Sequence, residues 1–156
     1  MDYEITYDTQ TILPIDDKTS KIIDNGNQYI VNYKVMDVIE RSCEYFGSSY
    51  EGRKLGTKAL IGITHKSPII IEESRKIIFF PTKSPINEDC IWINLGQIQN
   101  YFKIDDKHCT IIFKNGDGLD LNISIGSLTN QVLRASRLKF VLEERQENKK
   151  DFIKNY

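Results

Sequence analysis

The spacing of apolar and polar residues changes period several times along the chain. Tyr3, Ile5 and Tyr7 alternate with polar residues, which predicts a short strand. Pro14 interrupts the next stretch, so residues 8–19 read as an irregular arm. Lys21-Ile22-Ile23 and Tyr29-Ile30-Val31 flank Asp24-Asn25-Gly26-Asn27, and an Asn-Gly turn between apolar runs predicts a hairpin. From Val35 the period becomes helical. Val35, Val38, Ile39, Ser42, Cys43 and Phe46 fall on one face, with Asn32 as N-cap and Gly47 as the stop. Ser48 or Ser49 caps a second helix that runs to about Leu60. Its glycines at 52 and 56 cost about 1 kcal/mol each against alanine. That cost has a use if this helix lies close against another helix or a sugar–phosphate backbone.

The second half obeys the same logic. Ile69-Ile70-Ile71 and Ile77-Ile78-Phe79-Phe80 predict two buried strands joined by Glu72-Glu73-Ser74-Arg75. Pro81 and Pro85 bracket an exposed loop, Thr82-Lys83-Ser84. Ile91-Trp92-Ile93 predicts another strand, and Leu95 to Phe102 a short helix. Thr110 to Phe113 and Leu119 to Ile123 form a second hairpin around Asn115-Gly116-Asp117-Gly118. Ser127 caps a long C-terminal helix with Leu128, Val132, Ala135, Leu138 and Leu142 on one face. The fold class is therefore α+β: antiparallel β-hairpins packed with two or three helices, the last one long. At 156 residues the chain fits one domain, over residues 1–140, with the helix end and a tail over 141–156. A chain of this length hides roughly 70% of its unfolded surface and so builds a real core.

Net charge is −1, so bulk electrostatics select no partner, but the distribution does. Residues 1–40 hold 8 acidic and 3 basic residues, and residues 41–87 hold 4 and 8. Residues 88–133 hold 6 and 3, and residues 134–156 hold 4 and 7. The sharpest concentration is residues 41–68, where Arg41, Arg53, Lys54, Lys58 and Lys66 stand among Tyr45, Phe46 and Tyr50. No acidic residue lies between Gly52 and Ile71. Basic side chains interleaved with aromatics, hydroxyls and glycine suit a phosphate backbone or another polyanion. Arg53, Lys54, Lys58 and Lys66 are the candidates for groove and phosphate contacts. Ser48, Ser49 and Thr64 offer neutral phosphate hydrogen bonds, and His65 stands beside Lys66. Arg134 and Arg137 on the last helix are second-rank candidates. The competing reading is a solvated basic helix face, or an interaction module that binds an acidic partner.

Other constellations fall short. Gly47-Ser48-Ser49-Tyr50-Glu51-Gly52-Arg53-Lys54 nearly spells a phosphate-binding P-loop. However, Arg53 takes the lysine position, Lys54 the Ser/Thr position, and a helix rather than a strand precedes it. Cys43, Cys90, Cys109, His65 and His108 contain no C-x-x-C pair, and adjacent His108-Cys109 chelate poorly. A Cys43–His65 nucleophile pair has no local signature. Neither metal nor nucleotide is expected, and the missing catalytic constellation argues against an enzyme. Trp92, flanked by isoleucines, reads as core. No helix–turn–helix pattern stands out. Met1-Asp2-Tyr3-Glu4 is acidic with no apolar h-region after it, so no signal peptide is expected. No apolar run approaches the ~20 residues of a membrane span, and three unpatterned cysteines suit a reducing cytoplasm.

Cys43-Glu44-Tyr45-Phe46-Gly47-Ser48-Ser49-Tyr50-Glu51-Gly52-Arg53-Lys54 resembles the signature of the ComK family of competence transcription factors. So do Gly62-Ile63-Thr64-His65-Lys66-Ser67-Pro68, Phe79-Phe80-Pro81-Thr82 with Ser84-Pro85, and Cys90-Ile91-Trp92-Ile93. The blocks occur in order, and the similarity runs from about residue 20 to about residue 137. The resemblance implies a cytoplasmic, nucleoid-associated activator of DNA-uptake genes. It implies AT-rich double-stranded DNA sites made of paired A- and T-tracts, and self-association on that DNA. RNA polymerase, and an adaptor with a Clp protease, are further partners it implies; no cofactor is. A-tracts have a narrow minor groove that draws in Arg and Lys, which fits the basic stretch.

Overall fold

In the computed structural model of this chain, which describes residues 3–154 and their side chains as far as Lys149, the expected irregular arm is a central strand. Met1-Asp2 of the acidic start and residues 155–156 of the tail lie outside the described residues. β1 (Thr9–Pro14) pairs antiparallel with β2 (Ser20–Asp24) on one side and β6 (Trp92–Asn94) on the other. Its polar composition hid it. Thr9, Gln10 and Thr11 are all buried, and each finds a partner. The Thr11 hydroxyl donates to the Trp92 carbonyl at 2.8 Å, and Gln10 Nε2 to Asn115 Oδ1 at 2.9 Å. Thr9 Oγ1 accepts the Thr6 N–H at 2.9 Å. Pro14 ends the strand, where a missing N–H costs least. The expected strand at Tyr3 to Tyr7 does not form; the Ile5 N–H donates instead to Ser42 Oγ at 3.0 Å.

The main sheet has the order β3-β2-β1-β6-β5-β4, with every neighbour antiparallel, where β3 is Asn27–Val31, β4 Ile69–Glu72 and β5 Ile77–Pro81. The β2–β3 turn takes the positive φ values its Asn-Gly pair favours, 48° at Asn25 and 84° at Gly26. α1 (Val35–Tyr45) covers one face, and α2 (Tyr50–Ile61) runs from that core, where Tyr50 packs, to the second core, where Leu60 and Ile61 pack. α3 (Ile125–Lys154) and a second sheet cover the other. That second sheet is β7 (Ile98–Asp105), β8 (His108–Phe113) and β9 (Gly118–Leu121). Residues of β4 and β5 alternate between two cores. Ile69, Ile71 and Phe79 meet Val38, Ile39 and Cys43, while Ile70, Ile78 and Phe80 meet Phe113, Leu128 and Leu138. With both faces covered, Ile77 to Phe80 read as one continuous apolar run. The architecture is α+β with three helices, the last one long, as the apolar periods predict.

Four further local expectations fail. Leu95 to Phe102 is not a helix: a single 3-10 turn at Leu95–Gln97 leads into β7. Two register shifts in β7, with Phe102 and Ile104 facing solvent, erase a clean strand period. The N-cap of α1 is Lys34, not Asn32, and it makes no side-chain cap bond. α3 starts two residues before Ser127, where Ser124 Oγ accepts the Ser127 N–H at 3.1 Å. Thr82 is not exposed: its N–H donates to the Ile91 carbonyl at 2.8 Å, and its hydroxyl accepts the Ile91 N–H at 3.1 Å.

Candidate nucleic-acid interface

The basic stretch folds as α1, a short connection and α2. Gly47, at φ 84°, terminates α1 as expected. Its N–H bonds the Glu44 carbonyl and the Ser48 N–H bonds the Cys43 carbonyl, both at 2.9 Å, the paired bonds of a Schellman cap. Ser49 then caps α2 by accepting the Gly52 N–H at 2.9 Å. Gly62, at φ 73°, closes α2 at its far end. Only residues 46–49 separate the helices, so the pair has the connectivity of a helix–turn–helix, which the sequence pattern did not suggest. The glycines of α2 do not press on another helix of this chain. A Cβ at Gly56 would meet nothing within 4 Å, and one at Gly52 would meet only the Ser49 and Ser48 hydroxyls, at 3.1 and 3.3 Å.

The cations of this stretch divide into two groups. Arg53 is engaged inside the fold: its guanidinium pairs with Glu73 at 2.9 Å and its side chain is 14% exposed. That pair ties α2 to the β4–β5 turn. Arg41 stacks over the Tyr33 ring at 3.9 Å. By contrast, Lys54, Lys58 and Lys66 have no carboxylate partner among the described residues. Lys58 and Thr64 are exposed, and Lys54 and Lys66 half-buried.

After α2 the chain turns through residues 62–68, and α3 holds this loop from behind. Gln131 is fully buried, and its amide donates to the Lys66 carbonyl at 2.9 Å and the Pro81 carbonyl at 2.8 Å. Arg134 donates to the His65 carbonyl at 3.2 Å. The Thr57 hydroxyl donates to the Pro68 carbonyl at 2.6 Å. These bonds hold Lys66 at φ 48°, a conformation rare outside Gly, Asn and Asp. Residues expected separately on a loop and on the last helix thus meet: Arg134 bonds the His65 carbonyl next to Lys66 in the chain, and exposed Arg137 lies one turn further along α3. Ser48 and Ser49 do not join them. They sit at the opposite end of α2, about 18 Å away along a twelve-residue helix. Gln131 and Thr57 escaped sequence reasoning. The signal was there for Gln131, a lone amide in the apolar stripe that Leu128, Ala135 and Leu138 continue.

The cysteines lie apart, on α1, before β6 and on β8, and all three are buried. Among the described residues no three of His, Cys, Asp and Glu gather to hold a metal. Burial pushes the Cys43 thiol up to about 11, the opposite of an activated nucleophile. Burial raises Cys90 and Cys109 as well. Iodoacetamide at pH 8 is therefore expected to leave the native protein unmodified and to label all three cysteines in denaturant. Mass spectrometry of both samples checks this, and rapid labelling of the native chain would contradict it.

A family model described as ComK protein matches residues 1–147, extending past both ends of the similarity legible in the motifs. The competence transcription factor of Bacillus subtilis (strain 168) is 38% identical to this chain over 146 residues. The match spans 92% of this chain and 76% of that protein. No solved structure matches.

Proposed function

Because this chain belongs to the ComK family, we propose that it is a sequence-specific DNA-binding activator of competence genes, acting at AT-rich promoter sites. The observation that carries the reading is the surface built by α2, the 62–68 loop and α3. There Lys54, Lys58 and Lys66 face no carboxylate of their own chain among the described residues, and Gly56 leaves the α2 backbone open to close approach. Phosphates would supply the missing counter-charge. Arg134 and Arg137 extend the positive surface, and Ser48, Ser49 and Thr64 add neutral donors at its margins. Arg53 serves this surface by holding α2 in place. The same reading takes in assembly of several copies on one site, contact with RNA polymerase, and turnover through an adaptor and a Clp protease. It assigns no reaction and no cofactor. Among the described residues no helix is long and apolar enough to cross a membrane.

The groove is the finer question. Stiff A-tracts narrow the minor groove and concentrate negative potential, which suits lysines around a glycine-punctuated helix. A second reading places α2 in the major groove, and the α1–turn–α2 connectivity favours it. Base substitution separates the two. I·C pairs keep the minor-groove acceptors of A·T while altering the major groove, and G·C pairs put an amino group into the minor groove. Competition among A·T, I·C and G·C duplexes at fixed salt is expected to leave I·C nearly as effective as A·T. If I·C competes as poorly as G·C, α2 reads the major groove. If all three compete equally, sequence-specific binding is lost from the proposal.

A further inference from the structure

α3 uses only one of its sides within the fold. Leu128, Ala135 and Leu138 turn inward and are buried. Gln131 bonds the 62–68 loop, and further along Gln146 Nε2 donates to the Glu73 carbonyl at 3.0 Å, so the helix is pinned at two places. The opposite side is exposed at Leu133, Arg137, Phe140, Glu143, Glu144 and Glu147. Positions 133, 137, 140, 144 and 147 recur at alternating steps of four and three, the spacing of a seam between two helices. Leu133 is 62% exposed and Phe140 57%, and they are the large apolar side chains of α3 that face solvent among the described residues. They stand two turns apart on one side of the helix, about 10 Å along its axis. Single exposed apolar residues are ordinary on a protein surface. Two in register on a pinned helix, with Arg137 between them, form a stripe.

The charges on this face say what covers it. Arg137 lies toward its N-terminal end, and Glu143, Glu144 and Glu147 toward its C-terminal end. None of the four has an ion-pair partner among the described residues. The face is therefore complementary in charge to itself turned end for end. We propose that the outer face of α3 docks the α3 of a second copy of this chain, antiparallel about a twofold axis at Phe140. Phe140 then meets Phe140, Arg137 of each copy comes opposite Glu143 of the other, and Leu133 packs on the aliphatic stem of Glu147. A parallel pair would set arginine against arginine and glutamate against glutamate, which charge repulsion disfavours. Across a twofold axis every contact is made twice, so a short stripe counts double. This deepens the reading in which several copies share one DNA site, and rests on it for its use there. The contact itself needs no DNA, because the protein supplies both charges, and α2 takes no part in it.

Sedimentation equilibrium of the full chain without DNA is expected to show a dimer at about 100 μM chain. Leu133→Glu with Phe140→Glu, both at exposed positions, should keep the native circular dichroism spectrum. It should weaken the dimer at least about 100-fold, since each loss is felt on both sides of the axis. Arg137→Glu alone and Glu143→Lys alone should each weaken it at least about tenfold, because each sets like charges face to face. An equal mixture of these two variants should restore the dimer, because every facing pair is then opposite in sign. A monomeric wild type at that concentration, or an undiminished dimer in the double apolar variant, would end the proposal. No recovery in the mixture would overturn the antiparallel pairing. Mobility shifts on an A·T duplex keep the two readings apart. A monomer that binds DNA sinks the α3 contact alone, and a dimer that binds none sinks the DNA reading alone.

Discussion

Charge reversal at two lysines, Lys54→Glu with Lys58→Glu, is expected to abolish useful DNA binding while the protein stays folded. Neither side chain has a carboxylate partner among the described residues, so reversal breaks no ion pair of the fold. Surface substitutions of this kind usually move stability by no more than about 0.5 kcal/mol. On DNA the cost is larger. A neutralised phosphate releases roughly 0.9 counterion, so near 0.15 M salt each lysine–phosphate pair is worth about fivefold in affinity. Removing both pairs costs about 30-fold, and the added repulsion increases it. The log–log salt slope should become shallower by about 2, one for each pair. A companion variant isolates Lys66. Lys66→Gly removes that charge and relieves the positive φ of 48°, so it should weaken binding without loss of stability. Mobility-shift titrations from low to high salt, beside thermal melts, check both. Wild-type affinity and slope in the double variant would remove Lys54 and Lys58 from the interface.

Gln131→Leu is expected to destabilise the fold by about 2–4 kcal/mol, an unusual amount for one side chain of similar size. The residue is fully buried, and its amide satisfies the Lys66 and Pro81 carbonyls. Leucine leaves both carbonyls without that donor, each at about 1–3 kcal/mol. For a chain of this length the melting temperature should fall by roughly 5–15 °C, read by circular dichroism. DNA affinity should fall as well, because the bond to Lys66 fixes the loop. Gln131→Glu should be at least as harmful, since a carboxylate has no proton to donate to a carbonyl. A melting temperature within about 2 °C of wild type in both variants would show that the loop is held by other means.

The candidate site was legible in its charges and not in its connections. Lys54, Lys58 and Lys66 stand out because no acid interrupts residues 52–71. Arg53 looked the same in the sequence, and its engagement with Glu73, twenty residues on, depends on how α2 docks against the β4–β5 turn. Arg134 lies 69 residues from His65 along the chain, and only the packing of α3 brings the two together. Glycine and serine positions were more readable, because caps are local. Gly47 and Ser49 end and begin their helices through bonds spanning three to five residues.

By itself the sequence determined the α+β class, both Asn-Gly-type hairpins, the boundaries of α2, the buried face of α3 and the family. Each of these is written in local periods, short-range caps or long composite motifs. The tertiary structure decided the rest. β1 is a central strand although Thr9, Gln10 and Thr11 are polar, because burial costs little once each polar group is paired, Thr9 with the nearby Thr6 N–H and Gln10 and Thr11 with distant partners. β7 replaced a helix because the edge of a small sheet leaves Phe102 and Ile104 in solvent and blurs the period. The 62–68 loop gained its shape from Gln131 and Thr57. A hydrogen bond between residues far apart leaves no periodic trace in a sequence, and it exists only after the elements carrying its two ends have packed.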